Sequence, residues 1–264
     1  MDQAGIDYTV LSLPTPHIHH GDDALSMQAA SEINDELAAL QSDRFGRTAC
    51  LPLPYTDGSI AEIRRCMAKG ALGVKVPTNA SGVYLGDPAL DPVMAELDRQ
   101  HALVIMHPCR AKERPDNCIT GTVAAIYEYP ADTTRAVLNM IAHRIMTRFP
   151  HIRWIVPHCG SFLPYMLQRF AGVSGILASM GMMETVDAKA EFEKLYFDIA
   201  GDPEPVALDM LRMVAADDHI VFGSDFPHSP AGVILMKKKH FDENPRWDGI
   251  RKQLESGNGL VKEA

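Results

Sequence analysis

The chain has 264 residues and a formal net charge of −9, with 46% apolar and 22% charged residues, the composition of an ordinary soluble globular enzyme. An acidic surface without a long Lys/Arg run or basic aromatic stripe repels a polyphosphate, which excludes nucleic acid as a partner. No apolar stretch approaches the ~20 residues that span a bilayer, which excludes a membrane span. The length suits one α/β barrel, so residues 1–264 read as a single domain. Cys50, Cys66, Cys109, Cys118 and Cys159 are odd in number and contain no CxxC pair, and Met1-Asp2-Gln3-Ala4-Gly5 has no signal-peptide pattern. Both observations predict a reducing, cytoplasmic location.

In chain order, Met1–Gly5 reads as the last turn of a helix, with Gly5 as its C-terminal stop. Strands follow at 8–13, 47–53, 73–76, 103–106, 153–157, 195–199 and 219–222, most of them continuously apolar, as parallel strands covered on both faces should be. Helical stretches lie between them at 24–40, 59–69, 92–100, 131–149, 161–170 and 204–215. The longer loops, 78–91, 109–129 and 171–185, occupy positions where barrel enzymes place substrate contacts. Lys237-Lys238-Lys239 reads as a solvated helix face. A chain that opens at the end of a helix and shows seven strands, where a closed (β/α)8 barrel has eight, predicts that the first strand is missing from this chain.

Three of the apolar runs end in polar residues that burial does not require. Leu103-Val104-Ile105-Met106 leads into His107, Trp154-Ile155-Val156-Pro157 into His158, and Ile220-Val221-Phe222-Gly223-Ser224 into Asp225. In a barrel these points converge on one rim. Two imidazoles and a carboxylate there suit a Zn²⁺- or Mn²⁺-type ion, or general acid/base work.

The sequence resembles the amidohydrolase superfamily, in the branch of aminocarboxymuconate-semialdehyde decarboxylase and γ-resorcylate decarboxylase. The resemblance runs from Met1-Asp2-Gln3-Ala4-Gly5-Ile6-Asp7 through Asn34, Arg44-Phe45 and Leu51-Pro52-Leu53. It continues in Val104-Ile105-Met106-His107-Pro108, Tyr129-Pro130-Ala131-Asp132-Thr133-Thr134-Arg135, Arg148-Phe149-Pro150, His158-Cys159-Gly160 and Gly223-Ser224-Asp225-Phe226-Pro227. It implies a TIM-type (β/α)8 barrel and a divalent metal, Zn²⁺ or Mn²⁺. His107 and Asp225 would be metal ligands, His158 and Asp225 the catalytic pair, and Asp225 the proton carrier. A homodimer is implied as well. Members of the family begin with a strand ending in His-x-His or Glu-x-His/Ala, and this sequence has no counterpart to it.

In the segment Pro16-His17-Ile18-His19-His20, His17 and His19 alternate in an extended stretch and could chelate one ion, although solvent exposure or substrate contact is the commoner fate of loop histidines. Arg110, Lys112 and Arg114 could bind a carboxylate or form a solvated loop. His228 could reach the pocket mouth. Cys109 and Cys159 read as packing residues rather than nucleophiles. Glu128 and Asp132 read as favourable to a helix dipole, and Asp198 faces the barrel without an assigned task.

The resemblance implies a metal-dependent decarboxylase acting on a small aromatic or unsaturated carboxylic acid, such as a hydroxybenzoate. A hydrolase such as a lactonase on the same barrel is the alternative, and an inactive, incomplete barrel a third reading.

Overall fold

The computed structural model of the chain describes residues 1–13, 17–19, 21–112, 123–256 and 260. The strands are β1 (Thr9–Leu11), β2 (Phe45–Cys50), β3 (Gly73–Pro77), β4 (Asn79–Ala80), β5 (Val83–Tyr84), β6 (Leu103–His107), β7 (Arg153–Val156), β8 (Tyr196–Asp198) and β9 (Ile220–Val221). Among the described residues seven of them form one parallel sheet, ordered β1-β2-β3-β6-β7-β8-β9. All seven expected strands are present, with ends moved by a few residues. β4 and β5 form a separate antiparallel ribbon inside the stretch expected to be a plain loop.

The helices are α1 (Asp23–Ala39), α2 (Thr56–Ala68), α3 (Asp91–Arg99), α4 (Glu128–Ala142), α5 (Ile145–Arg148), α6 (Leu163–Ser179), α7 (Ala188–Phe192), α8 (Val206–Arg212), α9 (Ala231–Glu243) and α10 (Asp248–Ser256). The Asp2–Ala4 turn ends at Gly5, whose φ of 59° is the left-handed conformation glycine adopts at little cost. Three helical expectations need correction. The stretch 131–149 is two helices, because Arg144 turns left-handed at φ 53° between them. Residues 171–179 are the second half of α6, not loop; Gly172 and Gly175 lie within it, where an added Cβ would meet nothing within 4 Å. Of the three lysines on α9, only Lys239 matches a solvated face. Lys237 donates to the Gly201 carbonyl, and the largely covered Lys238 pairs with Asp242 while its ammonium lies about 6 Å from the Phe222 and Phe241 rings.

Alternation along the strands creates two apolar layers. Val104, Met106, Trp154, Val156, Phe197 and Ile220 join the large cluster shared with the helices. Leu103, Ile105, Ile155, Tyr196 and Val221 form a smaller cluster on the opposite face, with Leu260. Trp154 and Phe197 are fully buried, each contributing about 2–3 kcal/mol of transfer free energy. Gly73 is obligatory in this sheet, since a Cβ there would meet the Leu103 carbonyl at 1.8 Å. Parallel strands so covered all end on the same edge, and that edge carries the polar residues. No described helix is long and apolar enough to cross a membrane.

Candidate active site

His107 is the last residue of β6 and pairs in register with Pro77, so it shares a face with Ile105 and Leu103. His158 follows β7 and begins a left-handed run: φ is 58° at His158, 52° at Cys159, 73° at Gly160 and 56° at Ser161. Asp225 follows β9, also left-handed at 53°. Non-glycine residues in such conformations cost of order 1–3 kcal/mol each and persist only where their surroundings hold them. Asp198 at the end of β8 supplies one such hold. Its Oδ1 accepts the His158 amide at 2.9 Å and the Ala200 amide at 3.0 Å. Gly223 gives it room, as a Cβ there would meet the Asp198 side chain at 3.0 Å. Burial raises the Asp198 carboxyl above its ordinary range, and the nearby His158 opposes that rise.

His107, His158 and Asp225 line one cavity of about 590 Å³. Tyr129, Ser161, Phe162, Ile126, Pro203, Ala207 and His228 complete much of its wall. The His107 and His158 rings lie 6.1 Å apart at 71°, and Tyr129 meets His107 edge-on at 6.1 Å. Nδ1 of His107 lies 2.9 Å from the Pro108 carbonyl, which places the proton on Nδ1 and leaves the Nε2 lone pair available. Burial first, then the Lys75 charge, then His158 push the His107 imidazolium down to about 3, so the ring is neutral. A neutral imidazole is what a metal ion or a proton donor needs.

Lys75, on β3 and 3% exposed, shares the Ile105 face, and its Nζ lies 3.0 Å from His17 Nδ1. Burial pulls its ammonium down to about 7. The His17 ring lies 6.4 Å from that of His107, and burial and the Lys75 charge hold it near 3. Nε2 of His17, Nδ1 of His19, Nδ1 of His158 and Oγ of Ser161 are buried without a hydrogen-bond partner among the described residues. Such orphaned groups cost about 1–3 kcal/mol apiece when nothing binds them.

For a divalent ion, His107 Nε2 and the Asp225 carboxylate fit in kind. They do not fit in number, because no group of three His, Cys, Asp or Glu close enough to hold an ion occurs among the described residues.

Asp132 is not a helix-dipole residue. It is fully buried and accepts hydrogen bonds from Thr78, from Asn79 at 2.9 Å, from Tyr84 at 2.5 Å and from Arg135 at 2.8 Å. Cys109 joins the same network through Thr78 and Asn79, and Cys159 is buried in the core, where burial pushes its thiol to about 12. Cys159 also borders the cavity of His107, His158 and Asp225. Arg110 and Lys112 do not line the cavity, and Arg114 and Cys118 lie outside the described residues. His228 does line it. Sequence reasoning missed Lys75, Tyr129 and Ser161. A lysine inside an apolar strand run, Gly73-Val74-Lys75-Val76, was the available signal for the first; nothing local marks the other two.

The amidohydrolase family model matches residues 14–258. A 6-methylsalicylic acid decarboxylase of Penicillium expansum is 28% identical over 98% of this chain and 82% of its own length. A solved amidohydrolase superposes with a TM-score of 0.92 at 30% identity, over 99% of this chain and 86% of that one. A dihydroxybenzoic acid decarboxylase of Polaromonas, solved with manganese and 2-nitroresorcinol, shares the fold with a TM-score of 0.84 at 22% identity, over 99% and 83%. The parallel sheet with its polar edge is therefore the sheet of a TIM-barrel enzyme, and the chain belongs to the amidohydrolase family.

Proposed function

We propose that the chain is a metal-dependent decarboxylase of small aromatic or unsaturated carboxylic acids, with His158 and Asp225 catalytic and His107 and Asp225 as metal ligands. The observation that carries this reading is the convergence of those three side chains on one cavity whose remaining wall, with Phe162, Ile126, Tyr129 and Pro203, suits a flat apolar ring. The decarboxylases among its relatives support it.

A bound Zn²⁺ or Mn²⁺ would supply positive charge that fixes the substrate's oxygens. The remaining work falls to the chain. Phe162 and Ile126 offer the ring apolar surface. His158, its backbone amide tied to Asp198, donates or accepts at a substrate oxygen through its ring. Asp225 delivers a proton to the ring carbon as its bond to the carboxylate breaks and carbon dioxide leaves. Cytoplasmic residence goes with this reading: Cys50, Cys66, Cys109 and Cys159 are free thiols.

The test is carbon dioxide release from 6-methylsalicylate by purified protein supplied with Mn²⁺ or Zn²⁺. Release dependent on added metal is the expected result. Ring opening of a lactone panel without any decarboxylation would replace this reading with the hydrolase alternative.

A further inference from the structure

A second cavity, of about 370 Å³, is bounded by the loop after β8, the end of β9 and α9. Its apolar lining is Ile199, Phe222, Ile234, Met236, Phe241 and Trp247. Three of these are neighbouring rings: Phe222 and Phe241 have centroids 5.7 Å apart, Phe241 and Trp247 5.0 Å, both pairs tilted. Phe241 and Trp247 are buried in the main core, which fixes this wall before any ligand arrives. A space of this size holds a small organic molecule, and water against aromatic and aliphatic walls is readily displaced.

The charges in the lining narrow the choice of ligand. Glu204 is engaged by His240, by Asn244 Nδ2 at 3.3 Å and by Arg246 at 3.8 Å. Lys237 donates to the Gly201 carbonyl. Both basic side chains of the lining are thus committed to groups of the protein, while Asp202 adds a second carboxylate. An anionic ligand would meet two like charges, and a cationic one would meet the Lys237 ammonium. An uncharged molecule escapes both penalties. A flat ring matches the aromatic wall, and the hydroxyl-bearing Ser224 and Ser229 in the lining can serve one polar substituent.

We infer that this cavity is a binding site for a small uncharged aromatic molecule of the phenol type. The assignment is independent of the reaction proposed for the first cavity. The two spaces share Gly201, Asp202 and Pro203, so a ligand in the second adjoins main chain that also walls the first.

The two tryptophans of the chain supply the test, because Trp247 lines this cavity whereas Trp154 is fully buried and lines neither. In proton–nitrogen correlation spectra their indole N–H peaks, assigned with Trp247→Phe, report on them separately. Phenol should move the Trp247 peak saturably in the millimolar range and leave the Trp154 peak in place. Benzoate at the same concentrations should not reproduce that movement. Met236→Ala, at a largely exposed position, should keep the fold, and by removing part of the apolar wall should weaken phenol binding about fivefold. A Trp247 peak that stays still, equal movement of both peaks, or unchanged affinity in Met236→Ala overturns the site. A benzoate response matching that of phenol overturns the uncharged class of ligand.

Discussion

Two buried polar clusters sit at neighbouring strand ends, and they differ in one respect. Around Asp132, Thr78, Asn79, Tyr84 and Arg135 all donate to one carboxylate, and Cys109 packs into the same network. Around His107 and His158, ring nitrogens of His17 and His158 and a serine hydroxyl are buried without a partner among the described residues, on a backbone that is repeatedly left-handed. The first cluster has closed its own hydrogen bonds and holds β3, β4, β5 and α4 together. The second leaves bonds open. Polarity and burial are common to both, so satisfaction rather than composition separates a brace from a site.

The largest effect that would test this contrast is on turnover. Asp225→Asn keeps size and shape but cannot exchange the proton, so decarboxylation should fall about 10³-fold, equivalent to ~4 kcal/mol of barrier, with an unchanged melting temperature. Retained turnover would remove Asp225 from proton transfer. Next comes the brace. Asp132→Ala strands four donors and should cost ~3 kcal/mol in urea denaturation, whereas Asp132→Asn should cost less by keeping an acceptor. A loss of activity in Asp132→Ala without a loss of stability would place that carboxylate in the site and dissolve the distinction.

A smaller effect concerns Lys75, which belongs to neither cluster cleanly. Its ammonium is held near 7 in the folded chain and at an ordinary 10.5 in the unfolded one. Below pH 7 both states carry the proton and the folded state bears the full cost of the buried charge. Between pH 7 and about 10 the folded state has shed its proton while the unfolded chain still holds one, so stability rises with pH. Measured as urea midpoints relative to Lys75→Met, wild-type protein should gain stability across that window. A flat difference would mean that Lys75 keeps its charge when buried.

The strand ends that carry chemistry were legible because an apolar run has no use for a terminal histidine or aspartate, and parallel topology brings such ends to one rim. His107, His158 and Asp225 do share one cavity. What the sequence hid depended on tertiary partners. Asp132 lies just past the first turn of α4, and nothing local marked it as the acceptor of four side-chain donors. Asp198 acts by accepting backbone amides from another strand's loop, and Ser161 is unusual only through its dihedrals. The ribbon of β4 and β5 is two residues per strand, too short for any periodic signal. Lys75 against Nδ1 of His17 is a neighbour that no spacing rule could have supplied.

The clasp from Asp198 takes hold of the His158 loop by its main chain, not by its ring. Replacing the imidazole therefore leaves the corner seated. The same rim can sample other side chains at position 158, and with them other reactions, without being rebuilt. Substitution at Asp198 offers no such freedom, because it would release the corner whatever residue stood there. In this fold the position open to evolutionary change and the position that makes change tolerable are two different residues, joined by one backbone hydrogen bond.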